Sequence, residues 1–148
     1  MSELRYTIGI DPGTRTGLAI YDRQLDAIVY GQTLTFWKVF DVLKKYGPDE
    51  AEVIVEDCSM NKPRFRHKEG FRIQDRMSRN VGSVQRESVL IIEGIERLGY
   101  RVLGIKPTSG KWDDRTCKRV TRWMERTSQH VRDAIKLCYG VKQLRAVA

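Results

Sequence analysis

Apolar and polar positions fall into strand-like runs in the first third of the chain and into helical repeats further on. Residues 5–11 and 17–22 predict two β-strands, and Ala27-Ile28-Val29-Tyr30-Gly31 a third after the turn-forming Asp22-Arg23-Gln24, which together make an antiparallel meander. From Leu34 to Tyr46 the apolar residues Leu34, Trp37, Phe40 and Leu43 recur at every third position until Gly47-Pro48 stops them, so a helix is predicted there. Val53-Ile54-Val55 has the unbroken apolar character of a central parallel strand and runs into Glu56-Asp57. Residues 58–78 show no period and carry many charges, with Pro63 and Gly70 as punctuation, which predicts a long functional loop. Val84, Ser88, Ile91, Ile92, Ile95 and Leu98 then mark a helix over about 80–98, with Gly99 to end it and Glu93 and Arg97 one turn apart on its polar side. Tyr100–Ile105 reads as the last strand. Two helices follow, over 114–124 and 129–139, the second with Ser128 as N-cap and Gly140 beyond its end.

The order βββαβαβαα predicts one α/β domain over residues 1–148, with a mixed five-stranded sheet, antiparallel in its first three strands and parallel afterwards, flanked by helices. The stretch between the meander and Val53 is long enough for a crossover that returns this strand parallel to a neighbour. If that neighbour is the first strand, Asp11 and Glu56 stand side by side at the carboxyl ends of adjacent parallel strands, where α/β sheets place their sites. Asp57 then faces the opposite way and is expected to support the ligating acids from behind or to be structural.

The first strand ends in Gly9-Ile10-Asp11-Pro12-Gly13, with Gly17 following. Asp11 precedes a proline and is therefore held extended, while Pro12-Gly13 makes the turn that leaves its carboxylate at the strand end. Gly9 lies on the same face, and its missing side chain is expected to leave room for a metal or a phosphate backbone. On the last helix His130 and Asp133 are three residues apart and share a face. Taken singly, Asp11 is an ordinary hairpin acid, Asp133 an acid near a helix N-terminus and His130 a partly exposed helix residue. Taken together, three acids and a histidine converging on one sheet edge need a cation to offset their repulsion. Oxygen donors of this kind select Mg²⁺, with Mn²⁺ as a substitute. Two such ions bridged by Asp11 and flanked by Glu56 and Asp133, with His130 as ligand or proton carrier, suit phosphodiester hydrolysis.

The formal net charge of +8 and pI near 9.6 strengthen that reading, because the positive charge is clustered. Lys62, Arg64, Arg66, Lys68, Arg72, Arg76 and Arg79 occupy one stretch; Lys106, Lys111, Arg115, Lys118, Arg119 and Arg122 occupy another, with Phe65, Phe71 and Trp112 interleaved. Such a surface favours nucleic acid over a membrane, since neither stretch makes a clean amphipathic helix. The residues expected to touch DNA are Arg15, Lys62, Arg64, Arg66, Arg72, Lys106 and Lys111. The three cysteines, Cys58, Cys117 and Cys138, form no CxxC pair and suit reduced packing thiols. No signal peptide or apolar span is evident, so a soluble, cytoplasmic protein is expected.

With these residues in place, the chain resembles the RuvC-type Holliday-junction resolvases of the RNase H-like nuclease superfamily. The resemblance rests on Gly9-Ile10-Asp11-Pro12-Gly13, on Val53-Ile54-Val55-Glu56 and on His130-Val131-Arg132-Asp133-Ala134, whose order and spacing cover nearly the whole chain. It implies a homodimeric, Mg²⁺-dependent endonuclease that nicks two strands of a four-way DNA junction symmetrically, with Lys106 as a DNA-contacting lysine. Many relatives carry an aspartate where this chain has His130, and the aromatic they insert into DNA has no plain counterpart beyond Phe65 or Phe71. Adjacent Ile91 and Ile92 give the 80–98 helix more apolar positions than one sheet face needs, which suggests an isologous contact. The alternatives are a nuclease of structured RNA, as in YqgF-type proteins, and a non-catalytic branched-DNA binding module. An ATPase of the actin and sugar-kinase type shares the topology, but 148 residues lack its second lobe.

Overall fold

The computed structural model describes residues 4–60, 85–107, 109–142 and 144. Five strands, β1 (Tyr6–Asp11), β2 (Thr16–Asp22), β3 (Ala27–Leu34), β4 (Ala51–Glu56) and β5 (Arg101–Ile105), form one sheet in the order β3-β2-β1-β4-β5. β1–β2 and β2–β3 pair antiparallel, and β1–β4 and β4–β5 pair parallel, as the meander and crossover required. Helices α1 (Phe36–Leu43) and α2 (over 85–97) cover one face; α3 (Asp114–Thr121) and α4 (Gln129–Cys138) cover the other.

Alternation along the strands sorts the residues between two cores. Ile8, Ile10, Leu18, Ile20, Val53 and Val55 face α1 and α2, where they bury Val39, Leu43, Ile91 and Ile95. The other parity, Ala19, Tyr21 and Ile28, faces Cys117, Val131, Ala134, Ile135 and Cys138 of α3 and α4. Cys117 and Cys138 are buried free thiols, and burial pushes the Cys138 thiol up to about 12, so they pack rather than react.

Several boundaries differ from the sequence reading for local reasons. β3 continues to Leu34 because its ladder with β2 extends to the Thr16–Leu34 pair, so Leu34 belongs to a strand and α1 begins only at Phe36. The buried positions of α1 are Val39, Val42 and Leu43, whereas Trp37 is three-quarters exposed. The C-terminal carbonyls of this helical segment are taken up by the buried Tyr100, whose hydroxyl lies 2.6 Å from Leu43 O and 2.5 Å from Tyr46 O. α3 stops at Thr121, not 124, because Arg122 adopts the left-handed conformation at φ 61°. Ile91 is fully buried and Ile92 packs against the same core, so neither forms a free surface; the exposed apolar residues of this region are Val89, Leu90 and Leu98. Asp22 makes the predicted turn after β2 by accepting the Gln24 and Leu25 N–H groups.

α4 is laid directly on backbone. Gly9, Ala19 and Gly31 are in register across β1, β2 and β3, and Asp11 is in register with Gly17. A Cβ on Gly9 would lie 2.2 Å from the carbonyl oxygen of Ala134, and one on Gly17 2.0 Å from that of His130. The space at Gly9 is therefore filled by α4 and is not an opening for a metal or a phosphate. A glycine costs a strand about 0.5–1 kcal/mol, which is less than the 1–3 kcal/mol typical of forcing extra atoms into a packed core. Gly9→Ala is accordingly expected to destabilise the protein by at least about 1–3 kcal/mol in urea unfolding. Ala134→Gly is expected not to rescue it, because the obstructing atom is a backbone carbonyl.

Candidate active site

β1 and β4 are adjacent and parallel, paired through Ile10 and Val55, so Asp11 and Glu56 each come next at the carboxyl ends of neighbouring strands. Both share the parity of Gly9 and Ile54 and face α4. α4 begins at its N-cap Ser128, whose hydroxyl accepts the Val131 N–H at 3.2 Å, a contact worth about 1 kcal/mol. Val131, Ala134, Ile135 and Cys138 bury one face of this helix, which turns His130 and Asp133 toward the strand ends.

Asp11 is 7 % exposed. Nδ1 of His130 lies 3.2 Å from Asp11 Oδ2, so the Nδ1-protonated ring donates to the carboxylate. The His130 side chain is half exposed, 51 % against 10 % for Asp11, and spans from the buried acid to solvent. Glu56 is half-buried beside Asp11. Burial, then the Asp11 charge and the hydrogen bond shared with Asp11, push the Glu56 carboxyl up to about 7, with Asp133 adding to the rise and Lys111 opposing it. Asp11 is raised by burial, against the His130 hydrogen bond, and the Asp133 charge adds to that rise. Burial and like charge thus both favour the protonated form of these carboxyls.

Asp133 is turned to two other groups. Its Oδ1 accepts from Gln129 Nε2 at 2.8 Å, and its Oδ2 lies 3.5 Å from Lys111 Nζ. Among the described residues no three His, Cys, Asp or Glu side chains form a ready-made metal cage. The donor chemistry nonetheless fits a hard divalent cation: Asp11 and Glu56 share a hydrogen bond in partial burial, both are held above their ordinary range, and the Asp133 charge acts on both.

Lys111 is held in place from α4. The Trp112 carbonyl accepts from Arg132 Nε at 3.0 Å and from Gln129 Nε2 at 3.3 Å, while Lys136 Nζ donates to Gly110 O and stands over the Trp112 ring. A cleft of about 260 Å³ opens beside the acids, lined by Glu56, Ile105, Lys111, Asp133 and Lys136 among others. Lys106 is exposed immediately after Ile105, the residue paired with Glu56, and Arg15 is exposed in the turn after Asp11. Lys62, Arg64, Arg66 and Arg72, with Phe65 and Phe71, lie outside the described residues. Asp57 Oδ1 accepts the Ser59 N–H at 3.0 Å at the start of the 3₁₀ turn Cys58–Met60.

Gln129 and Lys136 were not singled out by sequence. The signal for Gln129 was its place one turn before Asp133 on the same helix; Lys136 had none, since its partner is a loop carbonyl 26 residues away. The chain matches no protein-family model and no curated protein.

The raised Glu56 carboxyl fixes the sign of a pH effect. The folded chain binds this proton more tightly than the unfolded chain, so the contribution is complete below the ordinary value of 4.5 and is lost as pH rises through about 7. In chelator the thermal midpoint is expected to fall between about pH 5.5 and pH 8, and Mg²⁺ to restore it at the higher pH while changing little at the lower. Glu56→Gln is expected to flatten both responses. An equal Mg²⁺ response at the two pH values would refute binding at these acids.

Proposed function

We propose that this protein is a Mg²⁺-dependent, structure-selective DNA endonuclease on an RNase H-like sheet, and that its substrate is the four-way junction. The reading is carried by Asp11 and Glu56 at the ends of adjacent parallel strands, facing His130 and Asp133 on the helix that crosses them. The strand order and directions agree with an RNase H-like sheet, an arrangement other α/β proteins share.

Asp11, Glu56 and Asp133 would hold the cation, which when bound supplies activation of water and charge stabilisation on the departing oxygen. His130 touches Asp11 with one ring nitrogen and reaches solvent, so it can move a proton between the site and water. Lys111 neutralises Asp133 in the resting state and stands where a phosphate would enter the cleft. Exposed Lys106 and Arg15 flank the same sheet edge and suit backbone contacts to DNA.

Labelled four-way DNA, duplex, single strand and structured RNA, incubated with Mg²⁺ and with chelator, distinguish the resolvase from an RNA nuclease or a binding module. Asp11→Asn, Glu56→Gln and Asp133→Asn are each expected to bring junction cleavage below detection while leaving binding largely intact. His130→Ala is expected to lose about 10²–10⁴ in rate, and His130→Asp to keep substantial activity by supplying a hard ligand. Mg²⁺-dependent cutting retained by two of the three acid variants would overturn the assignment.

Paired cuts need two sites, and we propose that they come from a homodimer using exposed Val89, Leu90 and Leu98 near α2. Sedimentation at micromolar concentration is expected to give a dimer, and the nicked products to be ligatable; a monomer making unpaired nicks would refute resolution but not hydrolysis.

A further inference from the structure

α3 buries only Cys117 and Thr121, one turn apart. On its opposite side Arg115 and Arg119 are exposed, also one turn apart; Arg122 and Arg126 are exposed in the segment beyond the left-handed turn, which folds back so that the Thr127 hydroxyl donates to Asp114 Oδ1 at 3.1 Å. None of these four guanidiniums has a hydrogen-bond or ion-pair partner among the described residues. The neighbouring Lys118 differs, being engaged by Asp114 at 2.9 Å. Glu125 is the one acid between Arg115 and Arg126. Like charges one turn apart weaken a helix by a few tenths of a kcal/mol; Arg119 regains part of this from the dipole of the last turn and Arg115 from the nearby Asp113 charge, but no hydrogen bond among the described residues ties either guanidinium down.

Their placement supplies a reason. α3 starts three residues after Lys111, the lysine beside Asp133, and the segment between them is fastened to α4 through the Trp112 carbonyl. Arg115 and Arg119 therefore follow Lys111 closely in the chain, with about 6 Å of helical rise between them. That rise corresponds to one or two phosphate steps of a DNA strand, whose phosphates advance about 3.4 Å along the axis. Arginine forks match phosphate oxygens in pairs and carry no base information in such contacts. Exposed Val120 and Met124 stand between the arginines and suit the sugar edge better than open water.

We infer that the exposed arginines of α3 and its following turn form a track for the phosphate backbone of one duplex arm, leading that strand to Lys111 and the acid cluster. This deepens the nuclease reading and rests on it for the identity of the partner. It also gives the described part of the chain a DNA surface separate from the 62–79 stretch.

The test compares Arg115→Ala/Arg119→Ala/Arg122→Ala with Lys38→Ala/Lys44→Ala/Lys45→Ala. The second variant removes the same charge from exposed positions on and just after α1, across the sheet. Affinity for a fluorescent DNA duplex and a four-way junction is measured against salt concentration. The arginine variant is expected to lose about 2–3 from the slope of log K against log salt and to bind at least about tenfold more weakly. The lysine variant is expected to keep the parental slope. Replacing the same three arginines by lysine is expected to preserve most of the slope, since the charges remain. An unchanged slope in the arginine variant, or an equal loss in the lysine variant, would overturn the track. So would a loss of binding to anionic phospholipid vesicles with DNA binding unaltered. Cleavage by the parent chain is scored separately: a parent that binds with the steep slope and never cuts would refute the nuclease reading and leave the track standing.

Discussion

The contact on which the rest depends is the seating of α4 on the bare backbone of β1 and β2. Gly9 and Gly17 let the carbonyls of Ala134 and His130 come closer to the sheet than any side chain would allow. Asp11 lies between these glycines in the ladder, opposite Gly17 and two residues beyond Gly9. The same approach that fills the space above Gly9 therefore brings His130 within 3.2 Å of Asp11. Larger residues on the strands would lift α4 and separate the two halves of the site, even with all four polar side chains retained. The glycines around Asp11 act as spacers for a helix, and their influence on the acids is transmitted through α4.

Much of this was legible in the chain. Alternation placed Asp11 and Gly9 on one face, the crossover rule made β4 a parallel neighbour, and the i, i+3 spacing put His130 with Asp133. What escaped was contact between distant segments. That α4 is the element above Gly9 follows from packing and not from any local pattern, which is why its absent side chain read as an opening. Leu34 fitted a three-residue repeat and yet completes the β2–β3 ladder, because tertiary pairing outweighs a weak local preference. The fastening of Lys111 through the Trp112 carbonyl was invisible for the same reason: a backbone acceptor carries no sequence signal.

Within the site, burial and charge pull in opposite directions. Asp11 is buried among like charges, and among the described residues its one close counter-group is a histidine half in water. Lys111 faces Asp133 and reaches Glu56 electrostatically, but it is two-thirds exposed and so compensates weakly. The remaining imbalance appears as the upward push on the Glu56 and Asp11 carboxyls. A cation bound among the three carboxylates would relieve their repulsion at once, whereas loss of one acid relieves only part of it.

The opposite end of the sheet shows that this imbalance is local. There Asp22 accepts from Arg5 at 2.8 Å and from two backbone N–H groups; burial alone would raise its carboxyl, but these partners bring it below the ordinary range. Buried Arg23 faces Glu52 at 3.6 Å, with its Nε on Thr7 and its Nη1 on the Leu4 carbonyl. Charges at that end are thus opposite in sign, which is part of the condition under which buried charge is tolerated, while Arg23 Nη2 and Glu52 Oε2 are buried without a hydrogen-bond partner among the described residues. At the carboxyl end of the same strands the buried charges are alike. One sheet, held by two apolar cores, carries both arrangements, so the acid cluster is not a general consequence of how this chain buries polar groups. A fold that pairs its charges at one end and leaves like charges together at the other has the electrostatic asymmetry on which the proposed cation site rests.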